Sequence, residues 1–280
     1  MKLPGLGIAE PSRLGFAARE HSLKKGVTMK IAISGKGGVG KTTFASFLIR
    51  AFSEEGKKVL AIDADPDANL AQALGVPQSA EIVPISEMKE LIEERTETKL
   101  GTMGSFFKLN PKVDDLPDRL SIKIDNVKLM VLGGVKKGGT GCICPESTLL
   151  KNLVRHIVLA RDEVIVLDME AGLEHLGRGT AAAVNRLVVV VEPGRRSIDT
   201  AAHIRRLAED IGVKKLSLVG NKIRSDKDRS FLLGHMPDFD FLGFIPFEAG
   251  IIEADLEGRP PFEKNAEGLE AVRVMIKKLI

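Results

Sequence analysis

The residues with the most specific chemistry are GKGGVGKTT, Gly35 to Thr43. They fit the spacing G-x-x-x-x-G-K-[ST], which binds a phosphate chain when it lies between a strand and a helix. Gly35, Gly37, Gly38 and Gly40 let successive backbone N–H groups close around an anion where a Cβ would obstruct. The helix that follows presents the positive end of its dipole. Gly35, Gly37, Gly38, Val39, Gly40, Lys41, Thr42 and Thr43 are therefore the expected nucleotide-binding set. In this arrangement Lys41 reaches the β and γ phosphates, Thr42 ligates Mg²⁺ and Thr43 donates to the α phosphate.

Carboxylates stand at two further points. In DADPDANLA, Asp63 to Ala71, Asp63 and Asp65 lie two apart at the end of an apolar run, where strand alternation points both the same way. In VIVLDMEAG, Val164 to Gly172, a buried strand delivers Asp168 with Gly172 four residues later. Asp67 and Asn69 are read as turn residues. His175 is expected on a helix surface, and Asn221 follows the apolar run KLSLVG.

The chain has two cysteines, Cys142 and Cys144, both within GGTGCICPES, Gly138 to Ser147. A structural disulfide is disfavoured in a reducing compartment, and a bond between residues i and i+2 closes a strained ring. Gly138, Gly139, Gly141 and Pro145 suggest a bent or mobile loop in which neither thiol is buried. Thiolates suit Zn²⁺, Cu⁺ and Ni²⁺, in sites that usually want four ligands. One chain offers two sulfurs, and a two-fold pair of chains offers four.

The elements that must position these groups follow from the apolar pattern. KIAISG (30–35), KVLAID (58–63), KLMVLG (128–133), EVIVLD (163–168), RLVVVVE (186–192), KLSLVG (215–220) and DFLGFIP (240–246) read as strands. Helical stripes lie between most of them: Phe44, Phe47, Leu48, Ala51 and Phe52 before a stop at Gly56; Leu149, Leu150, Leu153, Val154, Ile157 and Val158; Ile204, Leu207 and Ile211. Strands that are apolar nearly throughout are buried on both faces, so the expected fold is α/β, a doubly wound, mostly parallel sheet with helices on both sides. Ligands in such folds bind beyond the carboxyl ends of the strands. Residues 76–127 fit the alternation less well and read as an insertion with one charged helix, SEMKELIEER.

Composition limits the alternatives. Forty-one Lys and Arg against 38 Asp and Glu leave +3, with no basic block and neither Tyr nor Trp, so no nucleic-acid partner is expected. No apolar run approaches the roughly 20 residues of a membrane helix. Residues 1–28 lack the apolar stretch of a secretory signal. They read as a disordered leader, or as sequence upstream of an internal start at Met29, and residues 29–280 as one domain in the cytoplasm. The final stretch EAVRVMIKKLI (270–280) is expected to pack on the sheet through Val272, Met275, Ile276 and Leu279, rather than to serve as a membrane-binding helix.

With Lys36 included, the loop resembles the deviant Walker A motif, K-G-G-x-G-K-[ST], of the MinD, ParA and nitrogenase iron-protein superfamily of dimeric ATPases. The resemblance implies ATP as nucleotide and a nucleotide-dependent homodimer. It implies that Lys36 crosses the two-fold interface to the partner's phosphates, a cation supplied in trans as an arginine finger is. It further implies that Asp65 positions the attacking water, that Asp63 and Asp168 belong to the Mg²⁺ shell, that Gly172 senses the γ phosphate and that Asn221 recognises adenine. Many relatives carry Pro where Glu170 stands. The CxC pair and the run MEAGLEHLGRG are similar to a nickel-handling branch of this superfamily. That likeness implies Ni²⁺ or Zn²⁺ at Cys142 and Cys144, apo carbon monoxide dehydrogenase as partner and no stable membrane association. The competing function is a positional switch of the MinD or ParA type, acting on membrane or DNA.

Overall fold

The computed structural model describes residues 29–77, 79–100, 106–133, 144–173 and 175–279. The leader 1–28 lies outside these. β1 (Lys30–Gly35) leads through the phosphate loop into α1 (Lys41–Glu54), then β2 (Val59–Ala64) and the single turn α2 (Leu70–Ala73). The insertion contributes α3 (Lys89–Thr96), α4 (Leu116–Leu120) and β3 (Ile122–Ile124), which returns into β4 (Val127–Val131). After α5 (Pro145–Ala160) come β5 (Val164–Met169), α6 (Arg178–Ala181), β6 (Arg186–Val191), α7 (Arg195–Ile211) and β7 (Leu216–Ile223). The chain closes with α8 (Asp226–His235), β8 (Phe241–Pro246), α9 (Gly250–Leu256) and α10 (Ala266–Leu279).

Among the described residues the strands form one sheet in the order β3-β4-β2-β5-β1-β6-β7-β8. Every neighbouring pair is parallel except β3 with β4. β2 and β5 are buried at all six positions, the consequence of helices on both faces. One core gathers Ile92 of α3, Leu150 and Leu153 of α5, Ile204 of α7 and Leu232 of α8. The other gathers Phe44, Phe47 and Phe52 of α1, Leu70 of α2 and Val272 and Met275 of α10. The expected stripe of α1 is wholly buried, and α1 ends near Gly56, which takes φ +73°. α10 packs against β8 and α1, with Val272, Met275, Ile276 and Leu279 all buried.

β3 was not expected from the pattern. It has only three residues, none fully buried, and it caps the edge of β4 as an antiparallel strand. The insertion is tied down by a bidentate pair in which Arg95 of α3 donates to both oxygens of Asp115 at 2.8 Å, immediately before α4.

Candidate active site

Parallel strands bring their carboxyl ends to one rim, and the site residues stand there. Gly35 ends β1 beside Val190 of β6, and Asp63 of β2 is in register with Asp168 of β5. Two loop glycines are required by geometry. Gly35 has φ +152°, and a Cβ there would lie 2.5 Å from the Val190 carbonyl oxygen; Gly40 has φ +95°, and its Cβ would collide with the Asn221 side-chain amide. The Phe44 amide donates to the Gly40 carbonyl at 3.0 Å, opening α1 directly behind the loop.

Lys41 is nearly buried, and its ammonium lies 3.5 Å from Asp65 Oδ2. The expected phosphate-binding cation and the expected water-positioning carboxylate are therefore already neighbours. Thr42 Oγ1 donates to Asp168 Oδ2 at 2.7 Å. Asp168 Oδ1 is buried and has no hydrogen-bond partner, so a lone pair is left facing inward. Asp63 accepts from the Leu70 amide at 2.9 Å and the Asp65 amide at 3.2 Å, which shapes the chain after β2. Burial, and for Asp168 the Asp63 charge beside it, push these carboxyls up, Asp63 to about 6 and Asp168 to about 7. Two buried carboxylates that repel each other, one with an orphaned oxygen, beside a threonine hydroxyl, are a donor set that fits Mg²⁺. Such an ion, bound with a nucleotide, supplies neutralisation of charge developing on the transferred phosphoryl group.

Ser34, inside β1, donates through its hydroxyl to the Glu170 carbonyl at 2.9 Å and the Gly172 carbonyl at 3.3 Å. The loop after β5 is thus fastened to the strand that carries the phosphate loop. Asp67 and Asn69 make the short local bonds of turn residues: the Asp67 amide donates to Asp65 Oδ1, and Asn69 Nδ2 donates to the Asp67 carbonyl. His175 corrects the expectation of a helix-surface residue. It is 4% exposed and precedes α6, and Leu173 and Leu176 near it in sequence are buried too.

Asn221 and Lys222 both reach the phosphate loop. Asn221 Nδ2 donates to the Val39 carbonyl at 2.8 Å, and Lys222 Nζ donates to the Gly38 carbonyl at 2.7 Å. Consecutive residues of a regular strand point to opposite faces. Here Lys222 takes φ +57°, the left-handed region, where the β7–β8 register is irregular, and the alternation is broken. The Asn221 side chain, for which an adenine contact was expected, thus makes a contact within the protein. Lys222 Nζ also lies 3.1 Å from Glu192 Oε2, while Lys36 Nζ lies 3.3 Å from Glu192 Oε1. Burial opposes ionisation of Glu192, but Lys222 and Lys36 outweigh it and hold the carboxyl below its ordinary value.

Of the two thiols, Cys142 lies outside the described residues, as do Gly138, Gly139 and Gly141. Cys144 is the N-cap of α5 and Pro145 its first residue, so this end of the motif belongs to a helix rather than a loop. The Cys144 side chain is half-buried, so this thiol is not enclosed in the core, and partial burial pushes it up from its ordinary value. Because α5 connects the carboxyl end of β4 to the start of β5, Cys144 sits on the same rim as the phosphate loop.

A cleft of about 720 Å³ is lined by Gly38, Lys41 and Thr43 of the phosphate loop together with Asp65, Ile251 and Pro261. A lining that combines polar groups of the phosphate loop with apolar side chains suits a charged tail carrying a flat base. Ser34, Glu192 and Lys222 were not singled out from the sequence. All stand at or just beyond the carboxyl ends of strands, and that position is the only signal they carried.

The CobQ/CobB/MinD/ParA nucleotide-binding domain model matches residues 30–262. Carbon monoxide dehydrogenase accessory protein CooC of Rhodospirillum rubrum is 50% identical over 232 residues, 82% of this chain and 88% of that one. An ATP-binding protein of Methanocaldococcus jannaschii is 48% identical over 235 residues, 83% and 90% of the two chains. Among solved structures, MinD of Pyrococcus horikoshii complexed with Mg-ADP superposes with TM-score 0.62 at 23% identity, covering 90% of this chain and 96% of the other. MinD in the MinC:MinD complex of Aquifex aeolicus gives 0.63 at 22% identity, covering 90% and 95%. These last two speak for the fold.

Proposed function

The chain belongs to the CobQ/CobB/MinD/ParA nucleotide-binding family, and from that premise we propose that this ATPase is a metallochaperone that works as a nucleotide-dependent homodimer and assists nickel insertion into carbon monoxide dehydrogenase. The observation that carries the reading is the 50% identity to the Rhodospirillum accessory protein across 82% of the chain. The arrangement of the site supports the following phosphate, base and metal roles within this reading. Gly35, Gly37, Gly38, Val39, Gly40, Lys41, Thr42 and Thr43 hold the phosphates, and Thr42, Asp63 and Asp168 form the Mg²⁺ shell. Asp65 orients the attacking water once Lys41 turns from it to the phosphates. Lys36 completes the partner's site in trans, and Asn221 borders the adenine while bracing the loop.

The cargo, Ni²⁺ or Zn²⁺, is held by Cys142 and Cys144 of both subunits, four sulfurs on a two-fold axis. The placement of Cys144 on the rim that carries the phosphate loop supports a shared face for nucleotide and metal. A membrane-directed switch lacks comparable support, because the apolar face of α10 is buried against β8 and α1.

Metal stoichiometry tests the reading. Wild-type protein is expected to take up about one Ni²⁺ or Zn²⁺ per dimer and Cys142→Ser none. Uptake that survives the substitution removes the CxC site.

A further inference from the structure

Glu192 lies outside the motifs that identify the site, yet it touches two lysines, one of the phosphate loop and one of β7. One oxygen faces Lys36 at 3.3 Å and the other faces Lys222 at 3.1 Å. Its backbone is fixed as well, because the Glu192 amide donates to Ser197 Oγ at 3.0 Å and Ser197 is buried in the first turn of α7. Lys222 is tied in turn to the Gly38 carbonyl. Glu192 is therefore a fixed counter-charge at the mouth of the phosphate loop, anchored to one lysine that belongs to the loop's wall and paired with another that extends from the loop itself.

We propose that Glu192 is a positioning residue for Lys36, holding it on its own subunit until a nucleotide-loaded partner draws it across the two-fold interface. The inference rests on the trans role of Lys36. One ammonium cannot occupy both places, so dimer closure has to break the Lys36–Glu192 pair. The exchange is made easy by Lys222: when Lys36 leaves, Glu192 keeps a cation on its other oxygen and is never an unpaired carboxylate beside a triphosphate. The Lys36 side chain is 35% exposed and that of Glu192 24%, so the pair is screened and weak enough to act as a latch rather than a lock. A lysine left without Glu192 would sample many rotamers. Held there, it is stored at the rim, out of its own subunit's phosphate site.

Sedimentation velocity at saturating non-hydrolysable ATP analogue and Mg²⁺, over a protein dilution series, tests this. Two latches open per dimer, so Glu192→Gln is expected to lower the protein concentration for half-dimerisation about three- to tenfold. A residue with only a structural role would move that midpoint the other way. An unchanged or raised midpoint overturns the latch. If Glu192→Gln melts like an unfolded chain, Glu192→Asp, which withdraws the carboxylate by one methylene, is read by the same criterion. Turnover of Lys36→Ala, measured in parallel, separates the premises: normal hydrolysis there removes the trans role of Lys36, whereas defective hydrolysis beside an unshifted Glu192→Gln removes the latch alone.

Discussion

Thr42 and Asp168, 126 positions apart in sequence, meet through a 2.7 Å hydrogen bond from the threonine hydroxyl to the aspartate. The bond leaves the second Asp168 oxygen buried and unpartnered, so the pair is preorganised for a cation. Thr42→Ala and Asp168→Asn are each expected to reduce Mg²⁺-dependent ATP hydrolysis by about a hundredfold or more, the scale of losing metal-assisted charge stabilisation. Affinity for ADP without Mg²⁺ should change far less. Steady-state hydrolysis and calorimetric ADP titration in EDTA measure the two quantities.

The two lysines of the phosphate loop should separate cleanly. Lys41 is buried against Asp65 inside the site, whereas Lys36 points to the rim. Lys41→Ala should abolish nucleotide binding. Lys36→Ala should keep ADP while turnover falls by about a thousandfold, as for a cation supplied to the transition state. Equal loss of binding in both variants would contradict the division of roles.

Asn221 braces the loop from behind. Asn221→Ala leaves the buried Val39 carbonyl without its donor, which should destabilise the protein by about 1–3 kcal/mol in urea unfolding and weaken nucleotide binding. Gly40→Ala attacks the same contact from the other side, since its Cβ meets the Asn221 amide at a backbone angle that disfavours any side chain. A Gly40→Ala protein with wild-type ATP affinity would refute this packing.

Asp63 and Asp168 also set a pH dependence. Their folded-state values, about 6 and about 7, lie above the ordinary aspartate value of 3.8 because of burial first. The folded state therefore holds protons that the unfolded chain has released. The stability they contribute is complete below the ordinary value and is lost as pH rises through the folded values. Without Mg²⁺ and nucleotide, the melting temperature should fall between pH 5 and pH 8. The slope should be shallower in Asp168→Asn, and saturating Mg-ADP should raise the melting temperature most at pH 8.

Much of this was readable beforehand, and the failures have physical causes. The seven longer strands were visible because burial on both faces leaves unbroken apolar runs. The phosphate loop was visible because its glycines have few other uses between a strand and a helix. β3 was invisible because three half-exposed residues carry no period. Lys222 escaped notice because its left-handed backbone overrides the alternation by which strand side chains are assigned. Glu192 gave no sign because its meaning comes from Lys36 and Lys222, brought to it only by the folded sheet. His175 was misread because its burial, like that of Leu173 and Leu176, is a tertiary effect.

α5 runs for 16 residues from the sheet's working rim, a rod of about 24 Å. Leu149, Leu150, Leu153, Val154, Ile157 and Val158 seat it in the core along its length. Cys144 is mounted at the tip of that rod, so its sulfur has little freedom to swing independently of the body beneath it. In the proposed dimer, the spacing between two such tips would be governed by how whole subunits pivot against each other, and a metal held between them would register the angle of that pivot as a caliper does.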